Sequence, residues 1–377
     1  MNIKQSIAHA LLNLPGWHTK RHIVVFESDD WGAIRMPSLE AFNALKAEEV
    51  QVGDGYGYDQ NDTLASNDDL ELLMDALSSV KDSKGNPAKL TMNCVVANPD
   101  FQKIKEGGFN EYYYELITET MKRYPHHDRS FGLWKEGMMH KVFQPQFHGR
   151  EHLNARMWLK LLQRGDKDVR KAFDYGVYSM GVDVSYDPRK HVLAAFNVLN
   201  KADYDFVSKS IKEGLDLFEK LFGFKSLSMI APCYTWDDVV EKTTFEKGVM
   251  FMQGSHAQRP SEYAKSQGRK VQRHYTGQSN NNGQIYMVRT CNFEPTQNRL
   301  NNAESCMREI ETDFRWHKPA IVSCHRLNFI GELNPSNRDH NLREFKSLLQ
   351  MIVTKFPDVE FMSSDELGLL ISRSSNK

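Results

Sequence analysis

Short apolar runs alternate with helical patterns along most of this chain of 377 residues, and this alternation limits the folds open to it. Valine and isoleucine in such runs favour buried strands, and strands that alternate with helices favour a parallel sheet, either doubly wound or closed as a barrel. The candidate strands are His22–Ser28, Leu90–Ala97, Val142–Phe147, Ser226–Ala231, Val249–Gln253, Ile285–Thr290, Ala320–Ser323 and Val359–Met362. The sequence therefore predicts an α/β fold.

Helical periodicity fills the intervals between candidate strands. Leu70, Leu73, Met74 and Leu77 share one helical face, and Ser66 stands where an N-terminal cap is expected. The same spacing recurs near the carboxyl terminus at Leu342, Phe345, Leu349 and Ile352.

Composition excludes several classes of protein. Charged residues make up 26% and hydrophobic residues 40% of the chain, and the formal net charge of −1 gives no reason to expect nucleic acid or a membrane surface as partner. Mean hydropathy is −0.58, and no apolar run approaches the roughly 18 residues that would indicate a membrane span. The five cysteines are odd in number and have no close spacing, which predicts reduced, buried thiols rather than a disulfide framework.

A single catalytic-type domain is predicted over residues 1–377, with insertions near residues 51–63, 164–201 and 255–283. Met1–Leu14 is interpreted as an amphipathic helix, because its apolar stretch is too interrupted for a signal peptide. The expected location is therefore cytoplasmic, and the oligomeric state is left open.

Asp29 and Asp30 follow the first candidate strand, and Gly32 marks the place where the chain turns. Two adjacent carboxylates repel each other, so a metal, a cation or a shared proton has to offset their charge. A metal site in which one carboxylate is a ligand and its neighbour is a base meets that requirement in a specific way.

Three further groups of chemically active residues follow candidate strands. His148 and His152 come after the third strand, and their spacing of four places them on one helical face, where two imidazoles can bind one metal ion. His325 follows the seventh strand, and Pro232 and Tyr234 follow the fourth. Each group also has a structural interpretation: a solvated first helical turn, a core histidine, and a strand that ends at proline. Their common position indicates one site, because the carboxyl ends of parallel strands share one rim.

The order Asp-Asp, His-x3-His, Pro-x-Tyr and strand-His resembles that of the polysaccharide deacetylases, the NodB-homology group of carbohydrate esterases. The resemblance runs from about His22 to Leu370, with long insertions. It implies a distorted (β/α)7 barrel that holds a divalent metal, commonly Zn²⁺, at its rim. The implied activity is removal of an acyl group, with N-acetyl expected, from a carbohydrate partner.

The resemblance also implies roles for residues of this chain. Asp30, His148 and His152 are the implied metal ligands. Asp29 is the implied base that takes a proton from the attacking water, and His325 is the implied acid that protonates the leaving amine.

The candidate substrate contacts are Trp31, Pro232, Tyr234 and Trp236. The backbone near Tyr234 would help to hold the oxyanion, and the two indole rings would offer stacking surfaces to a sugar.

This chain departs from the family pattern in two places. Trp31 stands between the two aspartates and the glycine, where the family has none, and it would narrow the mouth of the site or stack on a sugar. Ile230 stands where the family has an arginine that orients the base, and Arg35 or Arg289 is a candidate to replace it.

Two alternative functions remain open at this point. One is a carbohydrate-binding barrel that has lost catalysis, and the other is a C–N hydrolase of the same fold that acts on a non-sugar amide.

Overall fold

The computed structural model describes residues 15–52, 57–179 and 192–375. The amphipathic helix predicted for Met1–Leu14 lies outside the described residues, and two of the three predicted insertions are described only in part. The structure describes thirteen strands: β1 (Ile23–Trp31), β2 (Leu90–Cys94), β3 (Ala97–Pro99), β4 (Tyr114–Leu116), β5 (Phe143–Phe147), β6 (Ser228–Ile230), β7 (Phe251–Gly254), β8 (Ala257–Gln258), β9 (Gln272–Arg273), β10 (Ile285–Val288), β11 (Cys291–Asn292), β12 (Ala320–His325) and β13 (Glu360–Met362). Each of the eight candidate strands has a counterpart among them.

The main sheet is parallel throughout and follows the order β10-β7-β6-β5-β2-β1-β12-β11, with β13 paired to β1. The two ends of this order belong to one continuous stretch of chain. β10 pairs with β7 on one side, and β11, three residues further on, pairs with β12 on the other. Between them, Arg289 N donates to Gly254 O at 2.8 Å and Thr290 N donates to Ile321 O at 2.9 Å. The sheet is therefore closed and forms a distorted (β/α)7 barrel, as predicted. Its seven strand positions are β1, β2, β5, β6, β7, β10–β11 and β12.

Helices occupy most of the connections between the strands of the barrel. Their bounds are Leu39–Ala47, Tyr58–Asn61, Asn67–Ser78, Phe101–Glu106, Ile117–Arg123, Ser130–Met139, Ala155–Gln163, Lys167–Asp174, Asp203–Phe222, Asp238–Glu246, Glu262–Ser266, Ala303–Arg315, Pro335–Lys355 and Ser364–Ser375, with short 3-10 turns at Pro232–Tyr234 and Arg326–Asn328. Ser66 caps the third of these helices in a capping box with Asp69, which confirms the predicted start. Among the described helices, none is both long enough and apolar enough to cross a membrane.

The interior of the barrel changes from apolar at its base to polar at its rim. Ile23 and Val25, at the start of β1, pack with apolar side chains of the C-terminal helix, which covers the base. Glu27 and Asp29 continue the same face of β1, because side chains alternate along a strand, and both are buried. All five cysteines lie within the described residues, where none forms a disulfide; the prediction of burial is correct for four of them, and Cys233 is half-buried.

Candidate metal centre and proton-transfer residues

The backbone at the end of β1 turns two adjacent carboxylates towards one site. Neighbouring side chains on a regular strand point to opposite faces of the sheet. Here the pairing of β1 with β2 shifts register between Ser28 and Trp31, and Asp30 adopts a left-handed conformation with φ of 74°. This irregularity re-aims Asp30, so that Asp29 faces the barrel interior while Asp30 reaches the histidines at the rim.

His148 and His152 lie in the loop that follows β5, and residues 148–152 form no helix. The prediction of a shared helical face is therefore wrong, and the cause is local. Gly149 has a φ of +115°, which no helix contains, and the loop folds back towards the sheet. The two imidazoles still converge, because their Nε2 atoms lie 3.4 Å (His148) and 3.2 Å (His152) from Asp30 Oδ1. All three side chains are buried, and their possible ligand atoms lie within 4.8 Å of one another.

Hydrogen bonding around the cluster fits a bound cation. His148 Nδ1 lies 2.9 Å from the carbonyl oxygen of Ile230, and a carbonyl oxygen only accepts, so Nδ1 must carry the proton. If this imidazole is neutral, its lone pair is on Nε2, which faces Asp30 Oδ1. Both atoms are then acceptors, and a cation between them would satisfy both. Burial lowers the pKa of His152 to about 3, so this imidazole is neutral at pH 7. Two imidazole nitrogens and one carboxylate oxygen are a donor set that suits Zn²⁺ and leaves coordination positions open.

Asp29 is held by Arg289, one of the two arginines considered as replacements at the Ile230 position. Arg289 Nη1 donates to Asp29 Oδ2 at 2.7 Å, and Nη2 donates to Oδ1 at 2.6 Å. Asn93 Nδ2 donates to the same Oδ1 at 2.8 Å. Burial alone would raise the pKa of Asp29, but Arg289 outweighs it and holds the pKa below its ordinary value. The carboxylate is therefore ionised and fixed in orientation.

The other candidate arginine, Arg35, contacts the Asp-His-His cluster instead. Its Nη2 donates to Asp30 Oδ2 at 3.3 Å, and its Nε lies 2.9 Å from Asp62. Burial alone would raise the pKa of Asp30, but His152, His148 and Arg35 hold it well below its ordinary value.

His325 ends β12, which pairs with β1 on the side away from β2 and β5. Its Nε2 lies 3.7 Å from Asp29 Oδ2, and its Nδ1 lies 2.5 Å from Glu294 Oε1. Burial alone would lower the pKa of His325, but Glu294 and the two aspartates raise it to about 9. Sequence reasoning missed Glu294. It lies just after β11, a strand of only two residues with no recognisable strand pattern, so its strand-end position gave no signal in the sequence.

The four predicted substrate contacts divide into two groups. Tyr234 is half-buried, and its hydroxyl accepts from Arg289 Nη1 at 3.1 Å beside the site. Its backbone N–H donates to Ala231 O at 3.0 Å, so that amide is already engaged. Pro232 is buried in the turn that precedes it.

Trp31 and Trp236 are each 1% exposed, so neither offers a face to a sugar, and the prediction of stacking surfaces is wrong. Trp31 is the last residue of β1, and its ring packs edge-on against Trp134 of helix Ser130–Met139 while its Nε1 donates to Ser28. The Nε1 of Trp236 donates to Glu241 at 3.0 Å. Both indoles satisfy their polar atom inside the protein and belong to the core.

The fold and the site define an α/β barrel protein with an Asp-His-His cluster at the carboxyl-terminal rim of its sheet. No family model matches this chain, and no curated protein matches it.

Several solved structures are similar to it at low identity. A putative glycoside hydrolase/deacetylase from Parabacteroides distasonis is 8% identical over 94% of this chain and 72% of its own, with a TM-score of 0.48. A probable polysaccharide deacetylase from Pseudomonas aeruginosa is 11% identical over 93% of this chain and 90% of its own, with a TM-score of 0.43. A 4-alpha-glucanotransferase from Thermococcus litoralis is 11% identical over 92% of this chain, with a TM-score of 0.44, and this chain spans 40% of its length. The closed barrel is established by the strand pairings of this chain itself.

Proposed function

We propose that this protein is a metal-dependent hydrolase that removes an acyl group, N-acetyl in the first instance, from a carbohydrate. The observation that carries the proposal is the buried convergence of Asp30, His148 and His152 beside an ionised, arginine-held Asp29. The carbohydrate is proposed from the order of motifs along the chain, and a cytoplasmic location stays a prediction.

Asp30, His148 and His152 would hold a divalent ion such as Zn²⁺. When bound, such an ion polarises an acyl carbonyl and lowers the pKa of water from 15.7 to about 7. Asp29 would accept the proton of the attacking water, and this role is supported by its position next to Asp30 and by Arg289, which keeps it ionised.

His325 would supply the proton that the leaving amine needs. Its pKa of about 9 keeps the imidazole protonated at neutral pH. Because Nδ1 is bonded to Glu294, the proton that faces the site is the one on Nε2. A base and an acid on two sides of one reacting carbon are what amide hydrolysis requires, since the amine leaves only after it is protonated.

The test combines metal analysis with an activity assay on the purified protein. Asp29→Asn is expected to keep the metal and to lose activity by about 10²–10⁴-fold, whereas His148→Ala loses the metal. His140→Ala removes an exposed imidazole and serves as the matched control. Equal metal content in wild type and His148→Ala contradicts the ligand assignment.

Substrates separate the proposal from its alternatives. Acetate released from an N-acetylated chitooligosaccharide supports the carbohydrate esterase. Acetate released only from a small non-sugar amide indicates the C–N hydrolase. Metal binding and sugar binding without release of acetate indicate a barrel that has lost catalysis.

A further inference from the structure

Glu27 is a fully buried carboxylate two residues before Asp29 on β1, and neither the metal cluster nor the proposed proton transfers use it. Side chains two apart on a strand share a face, so Glu27 lies below Asp29 inside the barrel. A buried charge is costly unless it is paired and hydrogen-bonded. Its presence at this depth therefore requires a physical reason.

Arg289 connects the two acids. Its Nε donates to Glu27 Oε2 at 2.7 Å, while Nη1 and Nη2 donate to the two oxygens of Asp29 at 2.7 and 2.6 Å. A guanidinium is planar, and its donors have fixed directions. An acceptor on Nε therefore sets the plane in which the two Nη atoms meet Asp29.

The other oxygen of Glu27 is anchored to the base of the barrel. Ser364 Oγ, at the start of the C-terminal helix, donates to Glu27 Oε1 at 2.7 Å. Ser364 N in turn donates to Thr91 Oγ1 of β2 at 2.9 Å. Glu27 thus lies on β1 and accepts from the C-terminal helix, whose Ser364 is itself bonded to β2, whereas Arg289 lies in the short closing segment between β10 and β11.

A second acid is not needed to neutralise Arg289, since Asp29 already carries the opposite charge. Burying an additional carboxylate adds desolvation cost, and buried ionic groups of this kind favour specificity of geometry more than stability. The hydrogen bonds of Glu27 therefore point to a role in orientation.

We propose that Glu27 is a positioning residue that fixes the guanidinium plane of Arg289, and through it the carboxylate of Asp29, for proton transfer. The inference rests on the proposed function, in which Asp29 is the base. In this proposal, Glu27 and Arg289 together orient the base, which in the family pattern is the role of an arginine at the Ile230 position.

Three variants test this role by steady-state kinetics. Glu27→Met has a similar length but no acceptor, and it is expected to lower kcat by about 10–100-fold with KM and metal content unchanged. Glu27→Gln keeps an acceptor for Nε and is expected to recover most of that loss. In the Asp29→Asn background, Glu27→Met is expected to cause no further loss, because the two residues act as one unit.

A control and two outcomes complete the test. Glu360→Gln disrupts another Glu–Arg pair, remote from the rim, and is expected to leave kcat unchanged. Losses from Glu27→Met and Asp29→Asn that multiply in the double variant would overturn the proposal, because a residue with only a structural role acts independently of the base. The same conclusion follows if Glu27→Gln is as slow as Glu27→Met.

Failure of the proposed function remains distinguishable from failure of this inference. If the wild type releases no acyl group from any substrate, crystal structures of wild type and Glu27→Met provide the readout. The inference then expects Arg289 to leave its two-point contact with Asp29 in the variant, and an unchanged contact overturns it.

Discussion

At the residue scale, backbone conformation decides whether the cluster forms. Asp30 with φ of 74° and Gly149 with φ of +115° are both in the left-handed region, next to the side chains that converge. A β-carbon at residue 149 would lie 2.9 Å from the backbone oxygen of Glu151. The loop of the two histidines therefore depends on glycine at this position.

Gly149→Ala is expected to destabilise the fold by more than the roughly 1–2 kcal/mol of a left-handed alanine, because a backbone clash is added. It is also expected to weaken metal binding at least 10-fold. Gly165→Ala is the control, since its φ is +73° and no atom lies within 4 Å of the added carbon. Urea unfolding and metal titration of both variants provide the measurement, and equal effects would show that the clash is relieved without consequence.

Glu294 controls the alkaline limit of activity in the proposed mechanism. His325 works as an acid only while protonated, so activity is present below its pKa of about 9 and is lost as the pH rises through that value. Glu294→Gln removes the neighbouring negative charge and is expected to move this limb to lower pH. If the alkaline limb of the kcat–pH profile stays at the same pH in Glu294→Gln, the acid is a group other than His325.

The sequence predicts site residues at the ends of recognisable strands more easily than site residues inside strands. Asp29, Asp30 and His325 each close an apolar run that is long enough to recognise. Glu294 follows β11, which has two residues and no readable pattern, and Glu27 is inside a run that otherwise reads as apolar. Arg289 was one of two candidates, because spacing alone does not tell which arginine reaches Asp29 across the barrel.

At the element scale, the histidine loop is tied to the neighbouring strands and to helix Asp203–Phe222. Val96 N and Ala97 N both donate to the carbonyl oxygen of Arg150, at 3.0 and 2.7 Å. The Arg150 side chain is buried between Glu151 and Glu213 of that helix. Tertiary contacts therefore replace the helical hydrogen bonds that the spacing of the histidines had predicted.

Glu213→Ala is expected to reduce stability by about 1.5–3 kcal/mol, because it removes a charged acceptor from buried Arg150, and to weaken metal binding through the loop. Glu246→Ala is the matched control, because its pair with Lys212 of the same helix is on the surface and is worth about 0–1 kcal/mol. Metal affinity that stays at the wild-type value in Glu213→Ala would show that the strands alone hold the loop.

At the scale of the whole molecule, the eight candidate strands predicted the barrel, but not how it closes. Closure depends on one segment that leaves β7 and joins β12 within three residues, at Arg289 and Thr290. Hydrogen-bond partners of this kind are set by the spatial path of the chain, which periodicity does not encode. The same segment carries Arg289, so closing the barrel and placing the contact to Asp29 are one structural event.

The opposite end of the barrel makes stability depend on pH. Glu360 of β13 accepts two hydrogen bonds of 2.6 Å from Arg21 and also pairs with Lys84, and these contacts lower its pKa from 4.5 to about 2. A carboxylate with a depressed pKa contributes stability above its unfolded value, and that contribution is lost as the pH falls towards 2. Glu360→Gln is therefore expected to cost about 1–2 kcal/mol at pH 7, with the difference from wild type shrinking below pH 4.5. Urea unfolding of wild type and Glu360→Gln from pH 7 to pH 3 measures this difference. Glu311→Gln, which removes a surface ion pair, is the control. A difference in stability that does not change with pH would show that titration of Glu360 does not cause the pH dependence.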